Sequence, residues 1–553
     1  MMDHPPIRRA LWLTLAVLAA LPYLPALDGP FVYDDKVEVV GNLAIRSFDD
    51  WRAVARYNVG RTLLIFTYAF DLQQHGFVPR GYHLTNLLLQ GLSVGAAWFA
   101  AEAVLRRFAV GQAAPRALLV TAIWAFHPML SESVAYITGR SEVLCGLFSF
   151  LAVGAWARAL NAEAEGRSGV GLRLGGVGAM VAAALSKEPG AVLPFVFLAL
   201  EAAGPRGARA VRWPWFAAFT LALGAAAYAR VSAFGALFPR EAERTLAVQL
   251  TTSAAVWLRT LGLWAFPTGQ TLFHAQADLS PASLPGAAAL GGWAALVAAA
   301  VALGRRHPPA GFALAAAALL FAPSTSFVQL KEHMAEHRSY QAGFYLLLAA
   351  GALLPFGRPA RVGAGALALA ATLAALTVQR AQIWSSEVAL WAEATRRSPA
   401  AADAWYGLGD AHRFAGQLSE AIGAYAEATA RDPAHVDAWN NLGIAAAELG
   451  DAPRARAAWA EALRIRPSSC KVHNNLGSFA VRNKDWDGAV AELTSTLAYC
   501  PEDPIAHYLL GNIYFGPLRD PRRAQRHYEA VVAVAPRFDH IDLVKQRLLE
   551  LTW

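Results

Sequence analysis

The chain has 553 residues, of which 56% are hydrophobic, with a mean hydropathy of +0.32 and a formal net charge of +7. Soluble globular proteins contain about 45–50% apolar residues, so this excess argues against a soluble enzyme. The basic residues form small clusters between apolar runs, which argues against a nucleic-acid-binding protein. The apolar runs end near residue 385. We therefore predict a membrane domain over residues 1–383 and a soluble domain over residues 384–553.

Apolar runs that could each cross a bilayer fill the first part of the chain, since a span needs about 20 such residues. These runs lie near residues 9–27, 84–105, 116–130, 137–158, 172–186, 189–204, 213–235, 286–304, 310–324, 340–356 and 361–380. The first run follows Arg8 and Arg9, and we interpret it as a retained span because no small-residue cleavage site leads into a soluble domain. The sequence therefore predicts an all-α transmembrane bundle of about eleven spans.

The arginine clusters predict the orientation of this bundle, because loops rich in Lys and Arg stay in the cytoplasm. Arg212 and the pair Arg305–Arg306 would both be cytoplasmic, which requires an even number of crossings between them. Residues 248–266 are then predicted to form a re-entrant or interfacial helix. The N-terminus would be cytoplasmic, and the C-terminal domain would lie on the exported face, periplasmic or lumenal.

The C-terminal domain repeats itself with a period of 34 residues, which is typical of tetratricopeptide repeats. Aromatic or His, Leu, Gly, Ala and Pro residues recur in register, as in Trp405, Leu408, Gly409, Ala421 and Pro433 and again in Trp439, Leu442, Gly443, Ala455 and Pro467. The predicted units are 400–433, 434–467, 468–501 and 502–536. A partial repeat precedes them, and a capping helix follows. Together they predict an α-solenoid.

Such arrays bind peptides or proteins in a concave groove, so partner binding is the favoured interpretation and a structural platform is the alternative. Cys470 begins the first helix of the third unit and Cys500 ends its second helix. The two thiols are predicted to be neighbours, either as a disulfide or as two buried free cysteines. Cys145 falls in an apolar run and is interpreted as a packing residue. No CxxC or Cys/His spacing predicts a zinc site.

The strongest polar motif is Phe31-Val32-Tyr33-Asp34-Asp35, directly after the first apolar run. Adjacent carboxylates at a membrane surface are costly unless they have partners or a role. Each carboxylate also tends to raise the pKa of the other, which suits a general base. The alternative is a helix cap or a solvated pair of loop charges.

Other polar residues cluster at helix ends on the same predicted face. They are His83, His127, Glu132, Arg140, Glu142, Lys187, Glu188, Glu336, His337, Arg338 and Tyr340. Each one alone fits an ordinary charge at a helix end. Together they predict a site in which Lys and Arg hold a phosphate while a carboxylate deprotonates a hydroxyl group.

In their order and spacing, these motifs and the repeats resemble the GT-C glycosyltransferases, specifically the transmembrane O-mannosyltransferases with C-terminal tetratricopeptide repeats. The resemblance implies a sugar, usually mannose, transferred from a polyprenyl-phosphate donor to Ser or Thr hydroxyls of exported proteins. It implies Asp34 and Asp35 as catalytic residues, and no metal or other cofactor. Lys187, Arg338 and Arg140 would bind the donor phosphate. The site would be lined by His83, His127, Glu132, Glu142, Glu188, Glu336, His337 and Tyr340.

Two other function classes remain open from the sequence. A non-catalytic membrane scaffold would use the repeats to assemble envelope proteins, although a single span suffices to anchor such a domain. A transporter or lipid flippase would show internally repeated halves, and the membrane part shows no such symmetry.

Overall fold

The computed structural model describes residues 5–46, 51–204, 244–325, 330, 332–355, 359–536 and 538–552. These residues form helices and connecting loops without a β-strand, which confirms the predicted all-α class. The chain divides into two compact units, Met1–Leu390 and Trp391–Trp553. The predicted span at residues 213–235 lies outside the described residues.

The first unit contains the apolar helices, numbered here in chain order over the described residues. They are α1 (Pro5–Ala20), α2 (Trp51–Tyr57), α3 (Thr62–His75), α4 (Pro79–Arg107), α5 (Ala113–Ala125), α6 (Ser131–Ala135), α7 (Arg140–Ala164), α8 (Val170–Ala184), α9 (Leu193–Ala202), α10 (Leu246–Ala265), α11 (Leu284–Arg306), α12 (Pro308–Phe321), α13 (Tyr340–Leu353) and α14 (Pro359–Trp384).

Four helices in the described part of the chain are long and apolar enough to cross a membrane, namely Pro79–Arg107, Arg140–Ala164, Leu284–Arg306 and Ala364–Trp384. The helices Ala113–Ala125 and Pro128–Ala135, bent by 60°, would together form a fifth. Shorter apolar helices occupy the predicted runs 9–27, 172–186 and 310–324. These helices indicate a membrane protein, while the count of about eleven spans and its orientation stay predictions.

The predicted run 248–266 forms the single 20-residue helix α10, which is capped by the side chain of Thr245. Polar residues of this helix, including Gln249, Thr251 and Thr252, are buried against the rest of the unit. Its re-entrant or interfacial placement stays a prediction.

Helices α4 and α7 pack side by side and run in the same direction. At their N-terminal ends, the Arg140 guanidinium donates to the carbonyl of Tyr82 at 2.9 Å. Near their C-terminal ends, the Asn161 amide donates to the carbonyl of Ala103 at 3.1 Å. Polar residues at the start of both helices therefore share one end of the bundle, and the residues that end them share the other.

The second unit consists of paired helices that follow the predicted repeats. Helix α15 (Glu387–Arg397) leads into it. The pairs are α16 (Ala402–Phe414) with α17 (Leu418–Arg431), α18 (Val436–Leu449) with α19 (Ala452–Ile465), α20 (Cys470–Arg482) with α21 (Trp486–Tyr499) and α22 (Pro504–Phe515) with α23 (Pro521–Val534), followed by α24 (Ile541–Thr552).

The glycines of the repeats lie where the two helices of a pair approach most closely. A Cβ atom at Gly409 would lie 2.5 Å from the Tyr425 ring, and one at Gly443 would lie 2.5 Å from Trp459. Both distances are shorter than van der Waals contact, so only glycine allows this packing. Cys470 and Cys500 are joined by a disulfide with a Cα–Cα distance of 6.3 Å. Of the two predicted alternatives, the structure therefore contains the disulfide and not two free cysteines.

Candidate functional site

The two adjacent carboxylates occupy different environments in the loop after α1. Asp35 is buried, and its Oδ2 accepts a hydrogen bond from the backbone N–H of Val32 at 3.0 Å. Its Oδ1 accepts from the backbone N–H of Thr138 at 2.8 Å. Asp34 is exposed, and its own backbone N–H donates to the Tyr136 hydroxyl at 2.9 Å. One carboxylate therefore fixes the loop, and the other is accessible.

Tyr33, just before the acidic pair, has a φ of +47°. This left-handed conformation is uncommon for a residue with a side chain and costs free energy. The Tyr33 hydroxyl donates a short hydrogen bond to the carboxylate of Glu332. That contact and the Asp35 hydrogen bonds hold the loop in its strained form.

Partial loss of contact with water raises the pKa of both carboxyl groups. Burial raises the pKa of Asp35 from 3.8 to about 7, and the backbone hydrogen bonds from Val32 and Thr138 only partly oppose this shift. Desolvation by the surrounding chain also raises the pKa of Asp34, opposed mainly by the nearby His337 and also by Arg61 and Lys187. Raised pKa values bring both groups closer to neutral pH, where a carboxylate is most effective as a proton acceptor.

The positive groups near Asp34 are each held by a carboxylate of another segment. Lys187 forms an ion pair with Glu142 at 2.8 Å. Arg61 pairs with Glu188 at 3.2 Å. The loop between α8 and α9 therefore supplies both a cation and a carboxylate to this end of the bundle.

His337 is fixed by two contacts with Glu132. Its Nδ1 lies 2.7 Å from Glu132 Oε1, and its backbone N–H donates to Glu132 Oε2 at 3.0 Å. The structure therefore brings His337, Glu132, Lys187, Glu142 and Glu188 together around the acidic loop. Their roles in chemistry stay predictions.

Arg338 reaches the same surroundings through Glu332. Its Nη1 donates to the Glu332 carbonyl at 2.8 Å, and its guanidinium lies 4.0 Å from the Glu332 carboxylate. Glu336 points inward instead, where its Oε1 accepts from the Thr271 N–H at 2.7 Å and lies 2.9 Å from His274 Nε2.

Arg140 has a different position from the one expected for a donor-phosphate ligand. Its side chain is fully buried and forms an ion pair with Asp71 at 2.6 Å. It also donates to Asn86 Oδ1 at 2.6 Å and to the Tyr82 carbonyl. These contacts join α3, α4 and α7 inside the bundle, so the geometry gives Arg140 a structural role.

Three other predicted lining residues are buried in the bundle. His83 Nε2 lies 3.2 Å from the Gly29 carbonyl and so supports the acidic loop. His127 stacks on the Trp264 ring with 4.3 Å between the ring centroids. The Tyr340 hydroxyl donates to Gln90 Oε1 at 2.5 Å.

Sequence reasoning missed several residues that contact the acidic loop. Tyr136 and Thr138 lie between two of the predicted motifs, so their position was a usable signal. Glu332 carries no such signal, because it stands outside every motif, and the same holds for His274, which contacts Glu336. In the described part of the chain, no three His, Cys, Asp or Glu side chains are grouped so that they could share a metal ion.

Residues 388–422 and 408–469 match the family model described as tetratricopeptide repeat. The chain is 31% identical to the mouse protein O-mannosyl-transferase TMTC4 over 175 residues, 27% of this chain and 24% of the relative. It is 28% identical to the Drosophila melanogaster protein O-mannosyl-transferase Tmtc1 over 153 residues, 25% of this chain and 17% of the relative. These matches confirm the resemblance to O-mannosyltransferases with tetratricopeptide repeats. They span about a quarter or less of the relatives' own length.

Among solved structures, MamA from Desulfovibrio magneticus is 21% identical with a TM-score of 0.23, covering 27% of this chain and 93% of that one. The pilF protein of Pseudomonas aeruginosa is 20% identical with a TM-score of 0.28, covering 35% of this chain and 82% of that one.

Proposed function

We propose that this protein is a membrane glycosyltransferase that moves a sugar, with mannose the first candidate, from a polyprenyl-phosphate donor to Ser or Thr hydroxyls of exported proteins. The observation that carries the proposal is the acidic pair, in which Asp34 is accessible while Asp35 is buried and hydrogen bonded. Similarity to protein O-mannosyl-transferases supports the choice of reaction. No metal or other cofactor takes part in the proposed reaction.

In the proposed reaction, Asp34 accepts the proton of the acceptor hydroxyl, because it is the accessible carboxylate of the pair. The hydroxyl oxygen forms a bond to the anomeric carbon of the sugar, on the face opposite the phosphate. The bond between that carbon and the phosphate oxygen breaks, and the polyprenyl phosphate leaves with the electron pair. This displacement inverts the anomeric carbon.

The leaving phosphate needs positive charge. Lys187 and His337 lie close enough to Asp34 to oppose the rise in its pKa. Arg338 approaches the same loop through Glu332. We assign donor-phosphate binding to Lys187 and Arg338. Arg140 acts indirectly, because its buried contacts hold together the helix ends that surround the site.

The repeat domain would bind the acceptor protein, since tetratricopeptide arrays present a concave surface to peptides. Both the acidic loop and the repeats would then face the exported side of the membrane. The predicted topology supports this arrangement and would be tested by labelling of single cysteines from each side.

The experiment that tests the function compares Asp34→Asn with Asp28→Asn in sugar transfer from a polyprenyl-phosphate mannose to a Ser/Thr peptide. Asp28 is the matched control, because it is exposed in the same loop and pairs with the exposed Arg80. We expect Asp34→Asn to lower the rate by about 100-fold or more, as for loss of a general base. Asp28→Asn should stay within twofold of wild type. An unchanged rate in Asp34→Asn would instead favour the membrane scaffold.

A further inference from the structure

A cleft of about 1740 Å³ opens between α1, α4, α5, α7 and α14. This volume exceeds the roughly 300–1,000 Å³ of sites for drug-sized ligands. Its charged end lies at the C-terminal ends of α4 and α7, whereas the acidic loop lies at their N-terminal ends. His83 and Arg107 on α4 are separated by about 36 Å along the helix axis. The cleft therefore lies apart from the candidate site described above.

The charged end of the cleft carries an excess of positive charge. Four arginines line it together with two glutamates, namely Arg106, Arg107, Arg158, Arg167, Glu102 and Glu165. Arg106 pairs with Glu102 at 2.8 Å, and Arg167 pairs with Glu165. The lining thus contains four arginines and two glutamates, while Glu163 and Glu201, which are not part of the lining, also attract Arg107.

Arg107 provides a second, independent feature of this end of the cleft. Its side chain is 6% exposed, and its Nε has no hydrogen-bond partner among the residues that the structure describes. A buried donor without a partner costs about 1–3 kcal/mol, which an incoming phosphate oxygen would recover. Arg158 and Arg167 also line the cleft and are exposed, so their side chains are accessible to a ligand there.

The remainder of the cleft is apolar. Its walls include Leu11, Leu15 and Leu18 of α1, Leu118, Leu119 and Ala122 of α5, Phe126 directly after α5, and Leu367 of α14. From Gln112 to Phe126 the lining of α5 extends about 20 Å. One leaflet of a bilayer has a hydrocarbon depth of about 15 Å. The apolar part is thus long enough for a chain that reaches the middle of the membrane.

We propose that this cleft binds an anionic membrane phospholipid, with its phosphate at the arginine end and an acyl chain along the apolar walls. The ligand is inferred from both features together. The arginines favour an anionic group, and the apolar walls favour an acyl chain. On the predicted topology the arginine end faces the cytoplasmic leaflet, where anionic lipids and basic loops meet. The proposal does not depend on the transferase activity.

The test uses full-length protein, purified and delipidated in detergent and titrated with phosphatidylglycerol or with phosphatidylcholine of the same acyl chains, followed by native mass spectrometry. We expect phosphatidylglycerol to bind at least tenfold more tightly. The double variant R158Q/R167Q should lose this preference. The double variant R305Q/R306Q is the matched control, because it removes the same charge from exposed arginines that do not line the cleft.

A second variant, Ala122→Trp, places a large side chain in the apolar wall and should weaken the binding of both lipids at least tenfold. Inorganic phosphate at equal concentration should not displace phosphatidylglycerol from wild type. Equal affinity for the two lipids would overturn the proposal, and so would an unchanged preference in R158Q/R167Q. Displacement by inorganic phosphate, or tighter binding of a polyprenyl phosphate than of phosphatidylglycerol, would also contradict it. Unaltered thermal melting of the variants confirms that they are folded.

Discussion

The Asp35 carboxylate accepts a hydrogen bond at 2.8 Å from the backbone N–H of Thr138, which follows it by 103 residues. This contact ties the loop after α1 to the segment between α6 and α7. Asp35 therefore positions the neighbouring Asp34, which is the residue that would meet the substrate.

The pH dependence of transfer should report on this contact. Burial raises the pKa of Asp35 to about 7, and its ionised form accepts both loop hydrogen bonds best. We expect the transfer rate to rise as the pH increases through about 7, and we expect Asp35→Asn to remove this inflection. A rate profile of the variant that matches wild type between pH 5 and 9 would contradict this role.

The ionisation of Asp35 should lower the stability of the folded protein as the pH rises, although it should raise the transfer rate. Its pKa in the folded protein, about 7, lies above the unfolded value of 3.8, so the folded state holds the extra proton between these values. Its contribution is therefore fully present below about pH 4 and is lost as the pH rises to about 7. Thermal melting in detergent should show this fall in wild type and not in Asp35→Asn.

The ion pair between Lys187 and Glu142 allows the structural role of Lys187 to be separated from its chemical role. Both side chains are largely buried. Lys187→Met leaves a buried carboxylate unpaired and should cost about 3–5 kcal/mol in the free energy of unfolding. Adding Glu142→Gln should restore most of that stability but not the transfer rate, if Lys187 binds the donor phosphate. Recovery of both quantities in the double variant would make Lys187 purely structural.

The disulfide between Cys470 and Cys500 should stabilise the repeat domain. It closes a segment with a sequence separation of 30, for which loop entropy predicts about 3.5 kcal/mol. Dithiothreitol should therefore lower the melting temperature of wild type and have no further effect on Cys500→Ser. Cys145→Ala is the control and should retain the sensitivity, since Cys145 is a free buried thiol. If wild type melts identically after thiol labelling has shown complete reduction, the stabilising role is wrong.

Close helix packing in the repeats predicts a strong effect at Gly443. A Cβ there would lie 2.5 Å from Trp459, so Gly443→Val should destabilise the protein by about 1–3 kcal/mol through overpacking. Gly423→Ala is the control, because a Cβ at that helical position meets nothing within 4 Å. It should be neutral or stabilising by up to about 1 kcal/mol. Denaturant titration followed by circular dichroism measures both, and equal effects would contradict the packing argument.

The helices of the repeats and the long apolar helices were predictable from the sequence. The period of 34 residues placed the helix pairs, because each repeat uses the same small and large residues at the same contact. The acidic pair could be singled out because two adjacent carboxylates after an apolar run are unusual. Shorter helices such as α9 were predicted less well, since 3₁₀ turns at Glu188–Val192 replace its expected first residues.

Long-range pairing was beyond the sequence. Arg140 and Lys187 both stand in polar motifs at the ends of apolar runs, and both were assigned to the donor phosphate. Only the packing of α3 against α4 and α7 shows that Asp71 already neutralises Arg140. Glu332 was missed for the same reason, because its contact with Tyr33 joins residues 299 positions apart.

The pair formed by Arg140 and Asp71 also bears on how the protein is made. Neither side chain has any surface open to solvent. A buried charge that loses its partner destabilises a protein by about 3–5 kcal/mol. Because α3 precedes α7 in the chain, Asp71 is already present when Arg140 emerges from the ribosome. The partner for the charge is thus synthesised before the charge itself, and the two can enter the folded bundle as a neutral unit.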